Sequence, residues 1–236
     1  MSIFVLGDTH LSFGVDKPMD IFPGWRNHID SLANNWNGLV AEEDTVVVPG
    51  DISWAMTADE AVPDLKFIND ALKGRKIIMK GNHDYWWQSM KKLSDLKAAA
   101  GLDKIDFLFN NAFETEDRII VGTRGWQIIG EPSDEDRLIL DREAGRFSLS
   151  LAAAKKLSGY GEKKLTAFFH YPPVFDRFVF EKLFDLMLEN GIDECYFGHL
   201  HGKIDPSAAK CVKYNIVCRL VSADYLKFSP LKLTTP

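Results

Sequence analysis

The sequence predicts an α/β fold in which two β-sheets pack together and helices flank them. Short apolar runs, typical of buried strands, alternate with amphipathic stretches in the first half of the chain. Strand-like sequence dominates the end of the chain, and Gly, Pro or Asn closes most segments. This order is typical of a layered α/β architecture. No repeat or long polar linker interrupts it, so we expect one domain covering residues 1–236.

The expected strands are short runs of apolar and β-branched residues, each too short for a helix. They are Ile3–Leu6, Val46–Val48, Lys76–Lys80, Phe107–Phe109, Arg118–Val121, Leu165–Phe169 and Cys195–Phe197. The fourth and fifth flank an acidic loop, which suggests an antiparallel pair. β-Rich sequence at residues 212–221 and 225–228 closes the chain.

Helices are expected where apolar residues recur at a spacing of three to four. The first of these stretches begins near Trp25. The expected helices cover residues 25–36, 62–72, 86–93, 150–157 and 178–189. Thr57 and Glu60 fit a capping box before the second stretch, and Pro63 is expected to start or kink that helix. Residues 11–24 look irregular, and residues 123–147 show no clear period.

Composition narrows the functional class. The formal net charge is -6, whereas a dedicated nucleic-acid-binding protein usually carries a basic excess. The three cysteines are odd in number and have no Cys-x-x-Cys spacing, so we expect reduced thiols and neither a disulfide framework nor a zinc ribbon. No apolar run approaches the roughly 18 residues of a membrane span. We therefore expect a cytoplasmic protein with no membrane partner.

Polar clusters follow five of the expected strands. They are Asp8-Thr9-His10, Gly50-Asp51, Gly81-Asn82-His83-Asp84, His170 and Gly198-His199-Leu200-His201. Binding sites in open α/β sheets form outside the carboxyl ends of the strands, so separate strands can deliver these residues to one place. A lone histidine at such a position is more often structural, but five clusters of this composition indicate a shared site.

The donor types in these clusters indicate a metal site. Seven side chains offer carboxylate, amide or imidazole donors: Asp8, His10, Asp51, Asn82, His170, His199 and His201. This set contains no thiolate and suits manganese, iron or zinc. Seven donors exceed the needs of one four-coordinate ion and suit two divalent ions about 3.5–4 Å apart that share a carboxylate.

The order of these motifs, from Asp8 to His201, resembles the calcineurin-like metallophosphoesterase family. The resemblance implies an αββα sandwich and a phosphohydrolase that cleaves phosphomonoesters or phosphodiesters. It implies one metal held by Asp8, His10, Asp51 and His201, and a second held by Asp51, Asn82, His170 and His199, with Asp51 bridging.

The resemblance also implies a mechanism. A hydroxide shared by the metals would attack phosphorus, and His83 would act as the general acid that protonates the leaving alkoxide. Asp84 would orient the ring of His83.

The motifs depart from those of protein Ser/Thr phosphatases in the same family. Those proteins have an Arg shortly after the Gly-Asp motif and a Glu after Gly-Asn-His, whereas this chain has Ile52-Ser53-Trp54 and Asp84. The expected substrate is therefore a small-molecule phosphoester. A metal-dependent nuclease is the alternative among enzymes, although the acidic balance tells against it. A non-catalytic protein-binding scaffold is the alternative from another class, and the complete donor set tells against it.

Several residues near the motifs have less definite roles. Trp54, Tyr85, Trp86, Trp87 and Trp126 could line a substrate pocket, although core packing is the commoner role of such residues. Arg124 follows a strand and could reach a phosphate. The remaining residues of this kind are expected to be solvated or structural; they are Arg137, Arg142, Arg146 and His28.

Overall fold

Mostly parallel strands build two large sheets in the computed structural model, which describes residues 1–234. The strands of this part of the chain are β1 (Ile3–Val5), β2 (Thr45–Val48), β3 (Arg75–Ile78), β4 (Ile105–Phe107), β5 (Phe113–Glu114), β6 (Arg118–Thr123), β7 (Lys164–Phe169), β8 (Val174–Phe175), β9 (Phe178–Val179), β10 (Glu194–Phe197), β11 (Lys210–Lys213), β12 (Ile216–Leu220) and β13 (Leu231–Lys232). The helices are α1 (His28–Leu39), α2 (Ala58–Lys66), α3 (Met90–Ala100), α4 (Asp134–Ala154), α5 (Glu181–Glu189) and α6 (Pro206–Ala209).

The first sheet has the strand order β13-β1-β2-β3-β4, and the second has the order β11-β12-β10-β7-β6-β5. Pairing is parallel from β1 to β4 and from β6 through β7 and β10 to β12, and the remaining edge strands are antiparallel. The ends of β1 and β12 meet, because the N–H of Gly7 donates to Val221 O at 2.8 Å and the N–H of Ala223 donates to Gly7 O at 3.0 Å. The loops after the parallel strands of both sheets therefore reach a common edge.

Alternate residues of the strands face different layers, as the two-residue period of a strand requires. Ile3, Val5 and Ile77 belong to a buried cluster that also contains Ile120 and Phe168 of the second sheet. This cluster forms the core between the sheets. The intervening strand positions pack instead against α1, α2 and α3 on one side and against α4 and α5 on the other. The expected arrangement of two packed sheets flanked by helices is confirmed.

The helix between residues 58 and 71 bears out the expected capping box. Thr57 Oγ1 accepts from the N–H of Glu60, and the Glu60 carboxylate accepts from the N–H of Thr57. The helix starts at Ala58 and contains Pro63, and residues Phe67–Ala71 continue it as a π-helical turn.

Three expectations about individual elements were wrong. α4 begins 16 residues earlier than the helix expected at 150–157, after a capping box between Ser133 and Asp136. Its long charged surface has little apolar periodicity, so the sequence pattern concealed it. The antiparallel pairing of residues 107–109 with 118–121 does not occur, because β4 pairs with β3 and β6 with β5 and β7. Residues 225–228 form a turn in which Lys227 and Phe228 have positive φ.

None of the helices within residues 1–234 is both long and apolar enough to cross a bilayer. The expected single domain remains a prediction.

Candidate metal centre

The seven predicted donors converge at the edge where the two sheets meet. They follow β1, β2, β3, β7 and β10, and each lies within a few residues of its strand end. Asp8, His10, Asp51 and His170 are at most 3% exposed, so the site is set into the molecule. The structure thus brings together all the polar clusters that the sequence singled out.

The donor atoms form two groups. Asp8, His10 and His201 present ligand atoms that all lie within 4.8 Å of one another, and Asp51, His170 and His199 form a second group by the same measure. We call these residues, together with Asn82, the candidate metal centre. Asn82 belongs beside the second group, since its Oδ1 lies 2.7 Å from His170 Nε2 and 2.8 Å from His199 Nδ1.

Asp51 lies between the two groups. Its Oδ2 atom is 3.8 Å from Nε2 of His10 and 3.5 Å from Nε2 of His170. Its other oxygen, Oδ1, accepts a hydrogen bond of 2.8 Å from the N–H of His83. This carboxylate is therefore placed to be shared by both groups.

The unpartnered polar atoms of the site fit bound cations. His170 Nδ1 donates to Pro49 O at 3.0 Å, so Nε2 of the neutral ring is an acceptor that faces the acceptor Oδ1 of Asn82. His10 Nε2 and His201 Nε2 face each other at 3.2 Å. Each pair needs a proton or a metal ion between its members. Asp8 Oδ2 and His10 Nδ1 are buried without a partner among the described residues.

The backbone at the site is strained. Asp8, His10, Asp51 and His199 all have positive φ values, between 44° and 73°. Such conformations are uncommon for non-glycine residues and cost about 1–3 kcal/mol each, so the surrounding structure must hold them.

Two glycines of the motifs are required by close packing. A Cβ atom at Gly198 would lie 3.0 Å from Cγ of Asp8, and one at Gly81 would lie 2.8 Å from Cγ of Asp51. Neither carboxylate could keep its position beside a larger residue.

Electrostatics at the site depend on burial and on the crowding of titratable groups. Burial lowers the pKa values of His10 and His170, and lowers that of His199 to about 3. Burial, together with the charge of Asp8, raises the pKa of Asp51. Burial alone would lower the pKa of His201, but hydrogen bonds to Asp224 and Asp8 outweigh it and raise the pKa to about 10. The metal-free site therefore holds protons near neutral pH that a cation would displace.

His83 lies beside the donor groups and belongs to neither of them. Its ring centroid is 4.3 Å from that of Trp54 and 5.7 Å from that of His10. Burial, together with the charges of His170 and His201, lowers its pKa. The half-buried ring is thus close to the candidate metal centre and free to meet a substrate.

In the described part of the chain, Asp84 does not hydrogen-bond to the ring of His83, the contact expected from the sequence. Its carboxylate accepts hydrogen bonds from the N–H groups of Ile52, Ser53 and Gly81 and from Trp86 Nε1, at 2.7–3.2 Å. Within residues 1–234 it has no hydrogen bond to His83. The carboxylate is completely buried and is satisfied by backbone donors. It holds the loops that carry Asp51 and Asn82 and does not orient the ring of His83.

The aromatic residues near the motifs divide into two sets. Trp86 and Trp87 are buried in the core, as packing alone would explain. Trp54 stacks on His10 at a centroid distance of 5.0 Å, and Tyr85 is 58% exposed beside His83. Trp54 and Tyr85 therefore border the site.

Sequence reasoning missed three residues that contact the donors. Asp224 accepts from His201 Nδ1 at 2.9 Å, Gln127 Nε2 lies 3.2 Å from His199 Nε2, and the ring of Tyr171 lies 4.4 Å from that of His199. Asp224 and Gln127 also follow strands closely, so the rule that located the other clusters could have found them.

Comparison with known proteins places these observations in context. A family model for calcineurin-like phosphoesterases matches residues 1–203. Comparison with curated proteins gives no significant match.

Two solved structures are similar along their whole length. The protein of unknown function AQ665 from Aquifex aeolicus has a TM-score of 0.51 and 19% identity, covering 98% of this chain and 95% of that one. The protein TT1561 of Thermus thermophilus has a TM-score of 0.55 and 11% identity, covering 99% and 98%. At these identities the likeness concerns the fold alone.

Proposed function

The chain belongs to the calcineurin-like phosphoesterase family, and from that premise we propose that it is a phosphohydrolase that uses two divalent metal ions. Family membership and the two donor groups support a metal-dependent phosphoester hydrolase in general. The observation that carries the dinuclear proposal is the position of Asp51, whose Oδ2 lies within 3.8 Å of a nitrogen in each group.

In this proposal the two sets of ligands share one carboxylate. Asp8, His10, Asp51 and His201 would hold one ion, and Asp51, Asn82, His170 and His199 would hold the other. Manganese, iron and zinc all accept this mixture of oxygen and imidazole donors. Two such ions, when bound, supply Lewis acidity toward the phosphate and a water that ionises near neutral pH.

His83 is proposed as the general acid. Its ring is half-buried, rests against Trp54 and is not engaged by either donor group. Its backbone N–H donates to Asp51 Oδ1, which fixes the main chain of His83 relative to the candidate metal centre. The negative charge of a bound phosphate would oppose the lowering of the His83 pKa, and the imidazolium could then donate a proton to the leaving oxygen. Asp84 supports this arrangement indirectly, through the backbone of the Gly81 and Ile52 loops.

The proposed substrate is a small-molecule phosphoester, either a monoester or a diester. The net charge of -6 makes a nucleic-acid substrate less favourable, because an acidic chain repels the phosphates of a nucleic acid. A cytoplasmic location belongs to the same proposal, and the three cysteines are unpaired in the structure.

The test compares hydrolysis of p-nitrophenyl phosphate and bis-p-nitrophenyl phosphate with added Mn²⁺, and measures metal content on the same samples. Asp51→Asn should lose metal and activity together. Asp185→Asn, an equal charge change on the exposed face of α5, is the matched control and should retain both. Loss of activity in both variants would argue against a special role for Asp51. A wild-type protein that binds no metal and cleaves neither ester would refute the proposal and favour a scaffold.

A further inference from the structure

A cavity of about 410 Å³ lies beside the end of β3, the strand that precedes Asn82. The ends of β3, β4 and β6 form one side of it, and the N-terminus of α3 and the middle of α4 form the other. We call it the basic cavity, because its lining includes Lys80, Arg124, Arg142 and Arg146.

Positive charge exceeds negative charge in this lining. Glu143 is the single carboxylate among the lining residues, and it is 3% exposed. Its Oε2 accepts from Thr123 Oγ1 at 2.6 Å and from the N–H of Gly125 at 3.2 Å. Its Oε1 lies 3.5 Å from Arg146 Nε and 3.9 Å from Arg124. One carboxylate thus faces four cationic side chains, in a chain whose net charge is -6.

The same cavity collects unpartnered polar atoms. Trp87 Nε1 and Asn110 Oδ1 are buried and have no hydrogen-bond partner among residues 1–234, and Arg146 Nε has only its ion pair with Glu143. All three belong to residues that line the cavity. The Trp87 side chain is 7% exposed, so bulk water does not solvate its donor. Buried polar groups without partners are rare, so these atoms require a partner inside the cavity, which a ligand or ordered water can supply.

Two of the cationic residues are tied to the candidate metal centre. The carbonyl of Arg124 accepts from the N–H groups of His170 and Tyr171, at 3.0 and 2.9 Å. Its guanidinium carbon lies 5.9 Å from the centroid of the Tyr171 ring, which in turn packs against His199. Lys80 directly precedes the Gly81-Asn82 motif. The basic cavity therefore adjoins the loops that carry Asn82 and His170.

We propose that the basic cavity binds a second phosphate group of a small phosphoester substrate, whose scissile phosphoester lies at the candidate metal centre. This inference rests on the proposed function and names its substrate class. A phosphate monoester carries close to two negative charges and three strong acceptor oxygens, which suit several Arg and Lys donors. The cavity volume of about 410 Å³ is in the range of small-molecule sites, which supports a small phosphorylated substrate.

α4 provides a matched control for this inference. Arg142 and Arg146 are four residues apart and both line the cavity, as residues on one helical face do. Arg137 lies on the same helix and is not part of this lining. Arg142→Gln and Arg146→Gln therefore test the site, and Arg137→Gln tests the effect of losing one positive charge elsewhere.

The first experiment measures binding of inorganic phosphate and pyrophosphate to the full-length chain after treatment with a chelator. Chelation removes the ions that would hold a phosphate at the candidate metal centre, so binding that depends on Arg142 and Arg146 reports on the basic cavity. We expect Arg142→Gln and Arg146→Gln to weaken pyrophosphate binding about tenfold, with Arg137→Gln unchanged. Equal weakening by all three variants, or no binding by wild type, would overturn the proposal. If succinate bound as tightly as pyrophosphate, the assignment of a phosphate ligand would be wrong. If oligothymidine bound more tightly than pyrophosphate, the assignment of a small-molecule ligand would be wrong.

The second experiment measures hydrolysis by the Mn²⁺-loaded protein of straight-chain alkanediol bisphosphates and the matching monophosphates. We expect one chain length to have a KM about tenfold below that of its monophosphate, and Arg142→Gln to abolish this difference. Equal KM values for the bisphosphates and the monophosphates, with good turnover of both, would refute phosphate binding in the basic cavity. The proposed function would be unaffected by that result. If Arg142→Gln weakened phosphate binding but the wild-type protein hydrolysed none of these esters, the result would support phosphate binding in the basic cavity and refute the proposed function.

Discussion

The Nδ1 atom of His201 donates a hydrogen bond of 2.9 Å to Oδ1 of Asp224. The second carboxylate oxygen accepts from the N–H of Gly202 at 2.8 Å, which fixes the orientation of the carboxylate. Nε2 of His201 is thereby directed toward His10 Nε2, at 3.2 Å, and Asp8 Oδ1, at 3.6 Å. When a carboxylate accepts a hydrogen bond from the ring nitrogen that does not bind metal, it sets the tautomer of the histidine and raises the basicity of the ligating nitrogen.

Asp224→Asn should weaken metal binding without removing a ligand. The amide cannot accept a charge-assisted hydrogen bond, so we expect the Kd for Mn²⁺ to rise about 10–100-fold. Titration of the chelator-treated protein measures this. Asp185→Asn on the exposed face of α5 controls for net charge. An unchanged Kd in Asp224→Asn would show that the hydrogen bond does not support the metal.

His83→Ala should retain metal and lose turnover. Removing a general acid slows hydrolysis by about 10²–10⁴-fold when the leaving group is a poor one, such as an alkoxide. The loss should be much smaller with p-nitrophenolate, which departs without protonation. The kcat values for an alkyl and an aryl phosphomonoester, with metal content measured in parallel, check this. Equal losses on both esters would argue against the acid role.

Metal binding should release protons near neutral pH. The raised pKa values of His201 (about 10) and Asp51 mean that both groups carry a proton there in the metal-free protein, and a ligand must be deprotonated to bind. His10, His170 and His199 have lowered pKa values, so they are already neutral.

Mn²⁺ affinity should consequently increase with pH, by about tenfold per pH unit for each proton released. Calorimetric titrations at one pH, in buffers that differ in ionisation enthalpy, count the protons. Asp224→Asn should release fewer, because His201 loses the partner that raises its pKa. A binding enthalpy that is the same in every buffer would contradict these protonation states.

Gly198→Ala should disturb the candidate metal centre through contact alone. The added methyl group would lie 3.0 Å from Cγ of Asp8 and would displace that carboxylate. We expect Mn²⁺ affinity to fall about tenfold or more, as for other changes that reposition a ligand.

Gly145→Ala provides the comparison, since open space surrounds Gly145 within α4. There the same substitution should increase the free energy of unfolding by about 0.5–1 kcal/mol and the Tm by about 1–4 °C. Unchanged metal affinity in Gly198→Ala would mean that the loop after β10 can move aside.

The sequence alone determined the fold class and the residues that meet at the site. Apolar runs a few residues long are typical of buried strands, and polar side chains placed directly after parallel strands collect at one edge of the sheet. His10 and His199 could therefore be located without coordinates. Residues 134–149 could not be assigned to α4 in the same way, because a largely solvated helix needs little apolar periodicity.

Tertiary structure decided which groups touch. The sequence placed Asp84 beside His83, but in the fold its carboxylate faces the backbone N–H groups of Ile52 and Ser53, more than 30 residues away in the chain. Asp224 reaches His201 from a loop 23 residues further on. Arg142 is exposed and Arg146 is partly exposed, as expected of solvated charges, but the packing of α4 places both beside the ends of β3, β4 and β6. Such contacts depend on the distances between strand ends, and no local pattern of residues encodes those distances.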